Sequence, residues 1–233
     1  MNNYNYDYIE EERSIDLNRY LVSTFGLLAA GLALSTLAGA VISRYFLGLL
    51  FENRAFILIA IMVQLALVIN LSARITKMET VTAWLSYFGY CLITGINFAF
   101  LMLSFEITSM VMAFGMTAVV FTSMAIIGLT GKVDFTKFGS YFLVGLLAII
   151  IISILNVFFF KAEGLSLFVL YGGVILFLGL TAYDVQKIRN IYYEVQHDDK
   201  LRNNFMVYGA FQLYLDFVNL FIYILRIFGR RRN

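Results

Sequence analysis

Asp184 and Asp216 are the residues of this chain best placed to do chemistry, because each stands where a charge is costly. Seven stretches (20–43, 55–73, 80–105, 107–131, 138–160, 164–186 and 203–225) hold 163 of the 233 residues. They contain only these two of the 32 charged side chains, against about 22 for an even spread. An aspartate at the centre of a membrane-spanning helix costs about 2.5–3.5 kcal/mol on insertion scales, so each needs a compensating partner or a task. In the last stretch Gln212, Asp216, Asn219 and Tyr223 step by four, three and four residues, one polar stripe on a helix otherwise rich in Leu, Phe, Val and Ile. Such a stripe belongs against other helices or along a water-filled path. Asp184 ends the preceding stretch, in Leu180-Thr181-Ala182-Tyr183-Asp184. Consecutive antiparallel helices are usual neighbours, so the two carboxyls are expected to be able to meet. Two carboxyls in one low-dielectric site cannot both ionise cheaply; they would titrate as a pair, with one proton between them. In the competing reading each aspartate is satisfied separately, with Arg74 or Lys77, just beyond the second stretch, neutralising one of them.

The elements that must hold these residues follow from composition. The chain is 61% hydrophobic and 14% charged, has no proline, and shows a mean hydropathy of +0.82. Soluble domains are nearer 45–50% apolar and about 25% charged. Charge-free runs of 19–26 residues match the roughly 20 apolar residues a helix needs to cross a bilayer. These features exclude a soluble enzyme, a secreted disulfide scaffold and a disordered tail, and define an all-α polytopic membrane protein. The single cysteine, Cys91, permits no internal disulfide, and a net charge of +2 gives no reason to expect nucleic acid as a partner. The expected organisation is an N-terminal tail over 1–19, one seven-helix transmembrane domain over 20–228 and a basic C-terminal tail over 229–233.

Loop charges give an orientation. Ten Lys and Arg fall in the N-tail and the loops after spans two, four and six, and three (Arg44, Arg54, Lys161) in the opposite loops. The positive-inside rule therefore predicts a multi-pass protein of the cell (inner) membrane with its N-terminus in the cytoplasm. Arg226, Arg230, Arg231 and Arg232 oppose it, since seven crossings leave them on the other side. Either the last segment does not fully cross or this tail tolerates the violation; seven crossings are expected. Small residues at four-residue spacing in span one (Gly31, Ser35, Gly39) and glycines in span six (Gly172, Gly173, Gly179) mark close helix packing. Gln64, Asn70, Asn97 and Asn156 could line a path, although one interhelical hydrogen bond explains each. His197-Asp198-Asp199 with Glu194 reads as a solvated loop run, since one histidine at no repeated spacing is a poor metal signature.

Four segments carry a family likeness: Gly128-Leu129-Thr130 leading to Asp134-Phe135-Thr136; the run from Gly145 to Asn156-Val157-Phe158; Tyr183-Asp184-Val185-Gln186; and Leu213-Tyr214-Leu215-Asp216-Phe217-Val218-Asn219-Leu220-Phe221. In these the chain resembles a bacterial member of the Bax inhibitor-1, or transmembrane Bax-inhibitor-motif, family, over most of its length from span two and most strongly over 111–228. The resemblance implies seven helices with the last at the centre, wrapped by the other six. It implies a pH sensor made of Asp184 and Asp216, a basic latch at Arg74 (or Lys77), and a calcium leak. Pore-lining candidates are then Gln212, Asn219, Tyr223 and Asn97. Calcium would be the transported ion, held transiently by Asp184 and Asp216 as metal ligands, with no tightly bound cofactor and no enzymatic activity. Partners are the lipid bilayer, calcium and protons.

Two other readings compete. Some bacterial relatives are thought to modulate a membrane-bound quality-control protease, so the chain could be a non-enzymatic regulator binding such a protease or other membrane proteins. An intramembrane aspartyl protease fits poorly: Asp216 sits in Leu215-Asp216-Phe217 rather than a Gly-x-Gly-Asp turn, and a proline-free chain lacks a Pro-Ala-Leu motif. A retinal photoreceptor would need a lysine within 203–225, and there is none.

Overall fold

The computed structural model describes residues 3–46 and 54–232; the side chains of 1–14, 54–57 and 157, those of Arg13 and Arg54 among them, lie outside the described residues. Seven α-helices follow one another: α1 (Asn3–Tyr45), α2 (Arg54–Arg74), α3 (Thr80–Ser104), α4 (Ile107–Thr130), α5 (Gly139–Leu155), α6 (Glu163–Val195) and α7 (Asp199–Phe228). Each apolar stretch of the sequence lies on one of them. Six are long and apolar enough to cross a membrane, and α2 contributes a shorter apolar segment over Leu58–Arg74. The helix of span one begins far upstream of the apolar run, so residues 3–19 extend α1.

The chain forms two compact units, one of Met1–Ala99 with Ile188–Phe211 and one of Phe100–Lys187 with Gln212–Asn233. In the first, the Gly31/Ser35/Gly39 stripe of α1 packs on α3. A Cβ on Gly31 would collide with Tyr87 and Cys91, and one on Gly39 would meet Phe98 at 2.7 Å. Ser35 Oγ donates to Cys91 O at 2.7 Å, and Tyr87 Oη donates to Leu27 O at 2.8 Å. Gln64 forms one interhelical bond, to Thr94 Oγ1 at 3.0 Å. Buried Asn204 of α7 donates to Ile75 O and Met78 O, holding the α2–α3 turn. The polar loop between α6 and α7 is a cap: Asp198 Oδ1 accepts from Leu201 N, and Asp199 pairs with Arg202 at 2.6 Å. No group of three or more His, Cys, Asp or Glu able to hold a metal occurs among the described residues.

In the second unit α7 carries the aromatic core. Phe217 and Phe221 pack on Phe114 of α4, Phe217 also meets Phe121, and Tyr223 lies over Gly173 and near Phe177 of α6. The turn from α5 to α6 is organised by Asn156. Its Oδ1 accepts from Ala162 N at 2.9 Å, while its Nδ2 donates to Ala162 O at 3.1 Å and Ser166 Oγ at 2.8 Å. The helix ends in one π-turn (Asn156–Phe160), with Lys161 left-handed at φ 48°. Asn156→Ala removes these bonds. Water can replace part of them, so the variant is expected to lose about 1 kcal/mol, read as a lowered Tm in detergent.

The C-terminal tail is also built in. Gly229 N donates to Leu225 O, Arg230 N to Ser109 Oγ, Glu106 N to Arg230 O and Arg232 N to Ser104 O, the last three at 3.0 Å. The tail thus pairs with the α3–α4 connection.

Candidate functional site

Asp184 and Asp216 lie in the same unit, both buried, and close enough for each carboxyl to act on the other. Of the sequence-derived stripe, Asp216 is buried, while Gln212, Asn219 and Tyr223 are half-buried. Asn219 turns its amide back to Leu215 O at 2.8 Å. Asp216 Oδ2 and Gln212 Oε1, one helical turn apart on α7, are buried and accept no hydrogen bond from any described residue. Buried acceptors are normally satisfied, so this unclaimed pair of oxygens beside the carboxyl contact marks a place for a proton, a water or a cation.

Lys187, three residues along α6, is close enough to act electrostatically on Asp184, and its Nζ lies 5.8 Å from the Tyr183 ring centroid. The i, i+3 spacing of Lys187 from Asp184 is the sequence signal for this proximity.

The segment around Asp184 is clamped by the connection between α4 and α5. Gln186 Oε1 accepts from Phe135 N at 2.7 Å, and its Nε2 donates to Val133 O at 3.2 Å. Gly128 faces the Ala182 carbonyl with no room for a Cβ, and Gly139 lies against the Tyr183 ring. Gly131, at φ 65°, ends α4 in the left-handed conformation that glycine adopts without strain. Asp134 Oδ1 then accepts from Thr136 Oγ1 and Thr136 N, and the hydroxyl bond holds the Asp134 carboxyl below its ordinary pKa. This exposed turn is therefore supported at neutral pH and loses that support in acid, as the carboxyl takes up a proton. The two widely separated motifs, 128–136 and 183–186, are one assembly.

The remaining candidates stand elsewhere. Arg74 and Lys77 are exposed in the first unit, and neither takes part in the salt bridges found among the described residues. Asn97 is exposed in that unit too.

Six helices long and apolar enough to cross a membrane, with two acids buried among them, define a multi-pass membrane protein. Residues 17–233 match the family model described as Inhibitor of apoptosis-promoting Bax1, and the chain belongs to this Bax inhibitor family. It is 37% identical over 219 residues to the inner membrane protein YbhL of Escherichia coli, covering 93% of each chain. It is 36% identical over 226 residues to an uncharacterized protein of Borreliella burgdorferi, covering 96% of this chain and 97% of that one. A protein of Rickettsia prowazekii, RP147, is 32% identical over 218 residues.

Proposed function

We propose that the protein is a pH-sensitive calcium leak of the inner membrane, gated by the Asp184–Asp216 pair. The observation that carries this reading is the burial of both carboxyls within reach of one another. Two carboxyls in one low-dielectric site cannot both ionise cheaply, so one proton held between them is the favoured state. A pair sharing one proton carries a single negative charge, and Lys187 offsets it, which makes the cluster tolerable in a low-dielectric interior. Removing that proton leaves two like charges in contact, and they repel. Rising pH thus works against the proton-sharing arrangement and falling pH favours it.

Oxygen ligands suit calcium, but it takes six to eight of them. Asp184, Asp216 and the Gln212 carbonyl supply a few, so passage is transient and water completes the shell. Family resemblance adds Arg74 (or Lys77) as the basic latch and a central last helix. The burial of α7 supports the latter: 56% of its apolar window is buried, against 12–39% in the other five long spans. Orientation with the N-terminus in the cytoplasm rests on the loop charges.

The test is reconstitution of the purified chain into liposomes loaded with a calcium dye. Calcium entry faster than in protein-free liposomes, with a rate that changes with pH, is expected. Equal rates at every pH would end the calcium reading.

A further inference from the structure

The second unit carries an open cavity of about 890 Å³, lined in part by Arg226, Arg231 and Arg232. Ser104, Asn156 and Ser166 add polar groups, and Phe100, Leu101, Val169 and Leu170 supply an apolar wall. The cavity lies near the end of α7 remote from the acid pair: Arg226 is ten residues beyond Asp216, about 15 Å along a helix.

Three observations set this cluster apart from an ordinary basic tail. The backbone that carries Arg231 and Arg232 is fixed to the α3–α4 connection by hydrogen bonds at Arg230 and Arg232, so these exposed arginines have a fixed backbone beside the cavity they line. No described salt bridge involves Arg226, Arg231 or Arg232, and no Asp or Glu is among the residues lining the cavity. Four arginines also crowd into residues 226–232, with no Asp or Glu between them.

We propose that this cavity is a phosphate-binding site. Planar guanidinium groups match a phosphate through paired N–H bonds, and gathering like charges around one space is unfavourable until an anion neutralises them. The volume far exceeds that of inorganic phosphate, and an apolar wall beside the arginines suits a phosphate with an organic substituent. Two sources share this chemistry: the headgroup of an anionic phospholipid and a soluble phosphate compound. The proposal is independent of the calcium reading.

The full chain in neutral detergent separates the sources. In one arm, native mass spectrometry compares phosphatidylglycerol with phosphatidylcholine added at equal concentration. In the other, inorganic phosphate is titrated against Tm at constant ionic strength. Wild type is expected to retain phosphatidylglycerol with at least a tenfold preference, or to be stabilised by phosphate itself. The first result assigns a lipid and the second a soluble ligand. Arg226→Gln/Arg231→Gln/Arg232→Gln should reduce the observed binding at least tenfold, and Arg44→Gln should leave it unchanged. Single Arg226→Gln, which leaves the tail untouched, should give a partial loss even if the triple variant folds poorly. Absence of preference in both arms, or equal binding by wild type and Arg226→Gln, would overturn the proposal.

Discussion

Asp184→Asn and Asp216→Asn are each expected to flatten the pH profile of the proposed calcium leak. In that proposal wild type holds one exchangeable proton between two acids, and one proton can change a rate by at most about tenfold per pH unit. Asparagine keeps the shape of the side chain and its amide can still donate to the remaining carboxyl, so the helix contact survives. What disappears is the step from one shared proton to none. The amide variants should therefore leak at a nearly constant rate where wild type changes most steeply. Asp184→Asn also leaves Lys187 without the charge it acts on, so it should lower the Tm more than Asp216→Asn does. A variant that kept the wild-type slope would remove its aspartate from the gate.

Gly128→Ala is expected to cost about 1–3 kcal/mol in stability, read as a fall in Tm, because the added methyl meets the Ala182 carbonyl and a helix backbone cannot step aside as a side chain can. Gly115→Ala on the same helix is the matching control. Nothing lies within 4 Å of its added Cβ, so the helix-forming advantage of alanine, about 0.5–1 kcal/mol, should leave it neutral or more stable. The contrast bears on function too. Ala182 is two residues before Asp184, so a displacement of α6 at Gly128 should shift the pH at which the leak changes, whereas Gly115→Ala should not.

The helices were legible in the sequence because lipid imposes a strict rule: charge is excluded over about twenty residues at a time, and all seven stretches became helices. The two carboxyls were legible for the same reason, as the exceptions. The Gly31/Ser35/Gly39 packing stripe could be read from its four-residue spacing. Contacts that join distant segments through a glycine or a backbone carbonyl carry no periodic signal. Gln186 reaches Val133 and Phe135 across more than fifty residues, and Gly128 matters through an atom it lacks. Asn156 reads in the sequence as a path-lining residue or as one interhelical hydrogen bond, and in the structure it holds a turn together, since an amide at a helix end can satisfy free backbone groups that a mid-helix amide cannot. The C-tail arginines conflicted with the loop charges as a sequence pattern, and only their backbone pairing with residues 104–109 shows where they reside.

The central claim is that Asp184 and Asp216 hold one proton between them, and infrared difference spectroscopy of the protein in lipid tests it directly. The account predicts a carboxylic-acid carbonyl band in wild type at neutral pH that disappears on alkaline titration in a single one-proton step. In Asp184→Asn and Asp216→Asn the step should move to a different pH, because the remaining aspartate no longer shares a proton. A wild-type spectrum with no such band at neutral pH, or a titration left unchanged in both single variants, would contradict proton sharing.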